Sequence, residues 1–253
     1  MIKVIVEKGA KRVFASAADW PGYARGAKTE ALALEALYAY GPRYAKVVKG
    51  VVSFVSPKSA SDLSIVERTA GSSGTDFGVP SVAARVDASA LTATEGERIV
   101  AIIEASWAAF DRAARAATGK KLTTGPRGGG RSVEKMTAHV LEADVAYLSK
   151  LGSRAPKVEG ARRAQAVRRT IVAAFRARVR GEPLPDPSKA EKLWSPRYFA
   201  RRSAWHALDH AWELEDRSRP AKDQSKPTTT SERWSGPFDS STRTSSKPMT
   251  ESR

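Results

Sequence analysis

The sequence predicts an α+β protein: a small N-terminal α/β domain over residues 1–90, a four-helix bundle over 92–217 and a disordered tail over 218–253. Three observations carry that expectation. Ile2, Val4 and Val6 alternate with polar residues in the period of a half-buried strand. Beyond residue 92, apolar residues recur at helical spacing in four long segments. From residue 218, Ser, Thr, Lys and Pro dominate, and few apolar side chains remain to offset the entropy of ordering the chain.

Taken in order, Met1 to Glu7 reads as a first strand, and Gly9-Ala10-Lys11 turns the chain into a second over Arg12 to Ser16. Trp20-Pro21-Gly22 ends it, because Pro and Gly punctuate regular structure. Ala31 to Val48, with Leu32, Leu34, Leu37, Tyr38 and Tyr40, reads as one helix. The β-branched runs Val51 to Val55 and Leu63 to Val66 read as returns to the sheet, and Ala70 to Pro80 as a loop. Helices follow over about Thr94 to Thr118, Ser132 to Leu151, Glu159 to Arg180 and Ser195 to Arg217. Ser195-Pro196 is an N-cap followed by proline at the first helical position, where its missing N–H costs nothing. The tryptophans at 20, 107, 205 and 212 are assigned to the core.

Composition narrows the chemistry. The chain has no cysteine, which excludes disulfides, thiolate zinc sites, iron–sulfur clusters and a cysteine nucleophile. A metal would have to be held by nitrogen and oxygen. No run of about 18 apolar residues exists to span a membrane, and the first residues do not read as a signal peptide, so a cytoplasmic location is expected. The 43 basic and 27 acidic side chains leave a net charge of +16, which attracts polyanions. Much of the surplus sits on the segment 162–180, through Arg162, Arg163, Arg168, Arg169, Arg176, Arg178 and Arg180. That segment fits a solvated helix face or a docking surface for nucleic acid.

The chain has three histidines, His139, His206 and His210. His206 and His210 are four apart in Trp205-His206-Ala207-Leu208-Asp209-His210, so a helix puts both imidazoles on one face. His139 lies within another helix of the same region, in Met136-Thr137-Ala138-His139-Val140. Three neutral imidazoles suit zinc, nickel, iron or manganese and leave a coordination position open. Glu213, three residues after His210, and Glu142, three after His139, are candidates to orient an imidazole, to ligate, or to act as a base. Glu215 and Asp216 read as a solvated helix end.

Gly125-Pro126-Arg127-Gly128-Gly129-Gly130-Arg131-Ser132 comes close to a phosphate-binding loop. It lacks the buried strand that should precede it, and Arg131 replaces the lysine, so a nucleotide reading is rejected. A smaller expectation remains. Backbone N–H groups at a helix start, flanked by Arg127 and Arg131, suit the anionic end of a ligand or cofactor. A flexible linker with solvated arginines is the competing reading.

A helix bearing His139, followed by an acidic residue and Tyr147, and then a last helix bearing His206-x-x-x-His210, resembles the DinB/YfiT-like superfamily. Mycothiol-dependent maleylpyruvate isomerases belong to that superfamily. The resemblance covers about 92–217. It implies a four-helix bundle with a crossover connection and a zinc or nickel site on the histidine triad. It also implies transferase or isomerase chemistry dependent on a low-molecular-weight thiol in some members, and hydrolase activity in others. Gly152 to Val158, between the second and third helices, is short for a crossover. The first region is similar to the small HicB-like α/β fold through its two strands, Trp20-Pro21-Gly22 and an Ala- and Leu-rich helix.

Three functions are therefore expected to compete. One is a metal-dependent enzyme acting on a small molecule, for which the glycine-rich loop leads us to expect an anionic end. The others are a basic protein associated with nucleic acid and a metal-binding bundle without catalysis.

Overall fold

The structure is a computed structural model, and it describes residues 1–124, 130–184 and 186–219. The expectation of a disordered tail falls, from residue 220 onward, outside the described residues, as does Arg127. The architecture is α+β, with one four-stranded sheet and four long helices.

The sheet is built from β1 (Ile2–Lys8), β2 (Val13–Ala17), β3 (Ala24–Ala27) and β4 (Leu63–Ala70), in the order β3-β2-β1-β4. β1–β2 and β2–β3 are antiparallel, whereas β4 joins β1 in parallel, from Ile2 beside Leu63 to Lys8 beside Ala70. As an inner strand, β1 is buried on both faces: Ile2, Val4 and Val6 on one, Ile5 and Glu7 on the other. Glu7 is buried but its carboxyl oxygens are engaged. It accepts from the Ser81 N–H at 3.0 Å, the Val82 N–H at 3.2 Å and the Thr75 hydroxyl. Glu67 on β4 likewise accepts from the N–H groups of Arg85 and Val86, at 2.7 and 3.0 Å. Two buried carboxylates thus fasten the irregular segment 80–88 to the sheet.

Four expectations need correction. The helix anticipated over 31–48 is two, α1 (Glu30–Ala39) and α2 (Gly41–Val48). Pro42 lies in the first turn of α2; it lacks an N–H and cannot continue the preceding helix. The run Val51 to Val55 forms no strand. Phe54 instead packs edgewise on Trp20, Tyr23 and Tyr44, with centroids 4.7, 5.6 and 4.9 Å away, and β4 alone takes the position beside β1. A third strand, β3, arises from Ala24-Arg25-Gly26-Ala27, which has no alternating apolar pattern. The loop expected over 70–80 contains a short helix, α3 (Ser73–Phe77). Its Asp76 accepts from the N–H groups of Ala10, Lys11 and Arg12 and so closes the β1–β2 turn.

The four helical segments of the second region form as expected: α4 (Ala93–Ala117), α5 (Val133–Lys150), α6 (Arg163–Val179) and α7 (Pro196–Arg217). Thr92 and Glu95 make a reciprocal capping box at the start of α4. Ser132 and Ser195 cap α5 and α7 by accepting from Lys135 and Tyr198 N–H groups. One apolar cluster joins all four through residues such as Phe110, Met136, Phe175 and Phe199. α4 packs chiefly on α7, and α5 on α6 and α7. α5 and α6 are neighbours, as their short connection requires; the longer connections join α4 to α5 and α6 to α7, pairs that touch less.

The sheet packs on this helical group. Ile102 and Ala109 of α4 and Leu208 and Trp212 of α7 share a cluster with Val4, Val6, Leu37 and Tyr44. Burying one such side chain fully is worth about 1.5–3 kcal/mol. Gly22 makes the close approach possible. Its φ is +88°, and a Cβ there would stand 2.8 Å from Leu208 Cδ1 and 3.2 Å from Ala204 Cβ.

Candidate metal centre

α7 is buried on nearly every side, which explains how a helix carrying four arginines and two histidines lies inside the protein. Its apolar residues Leu208 and Trp212 face the sheet, while His206 and His210 point toward α5. On α5, Met136, Val140 and Leu148 are buried in the helical core, and His139 stands beside them, half-buried.

The three imidazoles converge. Ring centroids are 4.7 Å apart for His206 and His210, and 5.0 Å for His139 with each of them. His139 Nε2 lies 3.2 Å from His206 Nε2. One ligand atom from each residue can be chosen so that all three lie within 4.8 Å of one another. Two nitrogens on one tetrahedral ion, each at about 2.0–2.1 Å, stand roughly 3.3 Å apart. The closest pair already has that spacing, so this group could hold a metal ion.

Electrostatics favour the neutral, ligating form. Burial pushes the His206 pKa well below its usual value, and the nearby His210, Arg202, His139 and Arg131 push the same way. His139 is lowered for the same main reason, with His210 and Arg131 adding to it and Glu213 opposing.

Glu213 completes the arrangement. Its Oε2 lies 3.2 Å from His210 Nδ1, and its Oε1 accepts from Arg217 Nη1 at 3.0 Å. The bond to His210 is the first cause holding its carboxyl below the usual range. An ionised carboxylate only accepts, so the contact is made with Nδ1 of His210 as donor, which leaves Nε2 as the atom facing the other imidazoles' side. Arg217 also donates to the carbonyls of Thr123, at 2.8 Å, and Arg131, at 3.1 Å. That chain of contacts ties the segments flanking the glycine-rich stretch to the end of α7.

The other anticipated residues lie as follows. Glu142 is exposed and bonded to Arg163 Nη1 at 2.7 Å, so its carboxylate is engaged between α5 and α6 and not with the histidines. Arg131 has an exposed side chain, while its carbonyl serves Arg217. Arg127 lies outside the described residues. Glu215 and Asp216 are not simply solvated, since both pair with Arg43, at 2.6 and 3.0 Å. Along 162–180, Arg163, Arg168, Arg176 and Arg180 pair with Glu142, Asp111, Glu97 and Glu182. Arg168 also lies 3.6 Å from Asp144, a buried carboxyl whose pKa burial raises to about 6, with Arg168 opposing.

Sequence reasoning missed Arg217, which is buried, and Arg202. The four-residue steps from Arg202 to His206 to His210 could have revealed the second.

No helix among the described residues is long and apolar enough to cross a membrane. No protein-family model matches the chain, and no characterised protein or solved structure is significantly similar to it.

Proposed function

We propose that this chain is a divalent-metal protein of the DinB/YfiT-like kind, acting on a small molecule at its three-histidine site as a transferase, isomerase or hydrolase. The observation that carries the proposal is the convergence of all three histidines of the chain, from two helices distant in sequence, with one nitrogen pair at 3.2 Å. A cluster serving only as core packing needs neither facing nitrogens nor a carboxylate oriented on the third ring. His139, His206 and His210 would hold the ion, with zinc or nickel suited to an all-imidazole set. Bound there, it supplies Lewis acidity toward a substrate oxygen, a low-molecular-weight thiol or water. Glu213 fixes the His210 tautomer and shares its charge with Arg217. Four long helices around one core support the family reading. The first region retains the strands, Pro-Gly turn and helix on which its HicB-like resemblance rests, though fold alone carries no function. Nucleic-acid binding draws less support, because four arginines of the basic segment are paired with carboxylates within the chain.

Metal content tests the proposal. Protein purified without a histidine tag and supplied with zinc or nickel should retain close to one equivalent. His206→Ala should lose it, with affinity down more than about 100-fold. Retention below about a tenth of an equivalent by the unaltered protein sinks the proposal, since a preformed site binds tightly at neutral pH.

A further inference from the structure

Four arginines stand on α7, and three of them face carboxylates. Arg197 meets Glu95 at 3.0 Å, Arg201 meets Asp87 through Nε at 2.8 Å, and Arg217 meets Glu213 at 3.0 Å. Arg202 differs. Among the described residues it makes no ion pair, and its Nη1 is buried without a hydrogen-bond partner. A buried guanidinium nitrogen left unpaired is costly, and native structures avoid it unless water or a ligand completes the site.

The guanidinium is also held in place. Its central carbon lies 4.9 Å from the Trp205 ring and 5.4 Å from the Tyr147 ring, and the Tyr147 hydroxyl also engages the guanidinium, so two aromatic side chains hold it without neutralising its charge. Tyr147 is in turn 5.8 Å, centroid to centroid, from His206. Arg202 precedes His206 by four residues and His210 by eight, so it continues the histidine stripe on one helix face. The rise between Arg202 and His206 is about 6 Å at 1.5 Å per residue. Arg202 and His139 are both only partly buried, whereas His206 and His210 between them are buried.

We infer that Arg202, flanked by Tyr147 and Trp205, is the anion-recognition residue of this site and takes the carboxylate of a small organic acid. The remainder of that acid extends toward the three histidines. One unpaired cation balances one negative charge, which matches a carboxylate better than a phosphate dianion, and a planar guanidinium pairs with carboxylate oxygens directly. The 6 Å rise suits a ligand with its second oxygen group a few bonds from the first. The inference rests on the metal-site reading for the second half of the ligand, but Arg202 can be tested apart from it.

The test is calorimetric titration of the full chain, loaded with zinc, with succinate and separately with inorganic phosphate. Succinate should bind saturably. Arg202→Gln should weaken it at least tenfold with zinc content unchanged. Arg180→Gln, which removes the same charge from an exposed pair with Glu182, should leave the affinity as it was. If Arg202→Gln does not fold, Arg202→Lys keeps the charge, loses the planar fork, and should still bind succinate more weakly than the parent. Succinate binding that survives both changes overturns the inference. So does the absence of saturable binding below about 10 mM, or binding of phosphate with succinate excluded. A protein that retains no zinc after supplementation, yet binds succinate only when Arg202 is present, upholds the role of Arg202 and sinks the metal reading alone.

Discussion

The two sides of α7 differ in whether their cations stand in ion pairs and in which side chains they gather. Toward the sheet, Leu208 and Trp212 are buried among apolar residues, and the cations around them stand in ion pairs: Arg25 with Asp209, although its Nε is buried without a hydrogen-bond partner, and Arg43 with Glu215 and Asp216. Toward α5, three imidazoles crowd together and Arg202 keeps a buried nitrogen without a partner. A protein surface used only for packing has no reason to gather ligating groups beside an unpaired cation, because each must be stripped of water without compensation. The sheet side therefore reads as the scaffold of the helix and the α5 side as its working face. Changes on the first should cost stability and spare the ligand; changes on the second should do the reverse.

The largest expected effect is on the scaffold. Asp87 holds Arg201 in a buried pair and accepts from the Ala84 N–H at 2.8 Å. Asp87→Asn should destabilise the fold by about 3–5 kcal/mol, because it strands a buried guanidinium. Chemical denaturation would measure this, and whatever protein remains folded should hold its metal normally. Gly22→Ala should cost about 1–3 kcal/mol, from its left-handed backbone and the contact with Leu208. A cost near zero would show that the sheet does not pack on α7 as described. On the working face, Glu213→Gln should lower metal affinity about tenfold through loss of the negative charge that orients His210. A metal affinity unchanged by Glu213→Gln would remove that distinction between the two sides.

The smallest effect is the pH dependence of the metal-free protein. His206 has its pKa lowered by burial, so the unfolded chain binds a proton more readily than the folded one. Stability from this group is complete above the ordinary histidine value of 6.5 and is lost as pH falls from there toward the folded value. His206→Ala should flatten that slope. A stability curve of the same steepness below pH 6.5 in both proteins would mean that His206 is not buried as a neutral base.

How much of this was legible beforehand follows from what each signal depends on. The helices α4 to α7 were readable because their apolar periodicity and caps are local; Ser132, Ser195 and Pro196 mark starts that the structure keeps. β3 was not, since Ala24-Arg25-Gly26-Ala27 is a strand only because β2 offers it an edge. The break before α2 was signalled by Gly41-Pro42 yet outweighed by the leucines and tyrosines around it.

The sequence by itself determined which residues could form the site: three histidines, two of them one helical turn apart, in a chain without cysteine. Only the tertiary structure decided that His139 reaches His206, that Glu213 and not Glu142 stands at the imidazoles, and that Arg202 is the unmatched cation of α7. The reason is physical. Spacing along one helix fixes which side chains share a face, but partnership across helices depends on packing between segments some 60 to 70 residues apart, which no local pattern records.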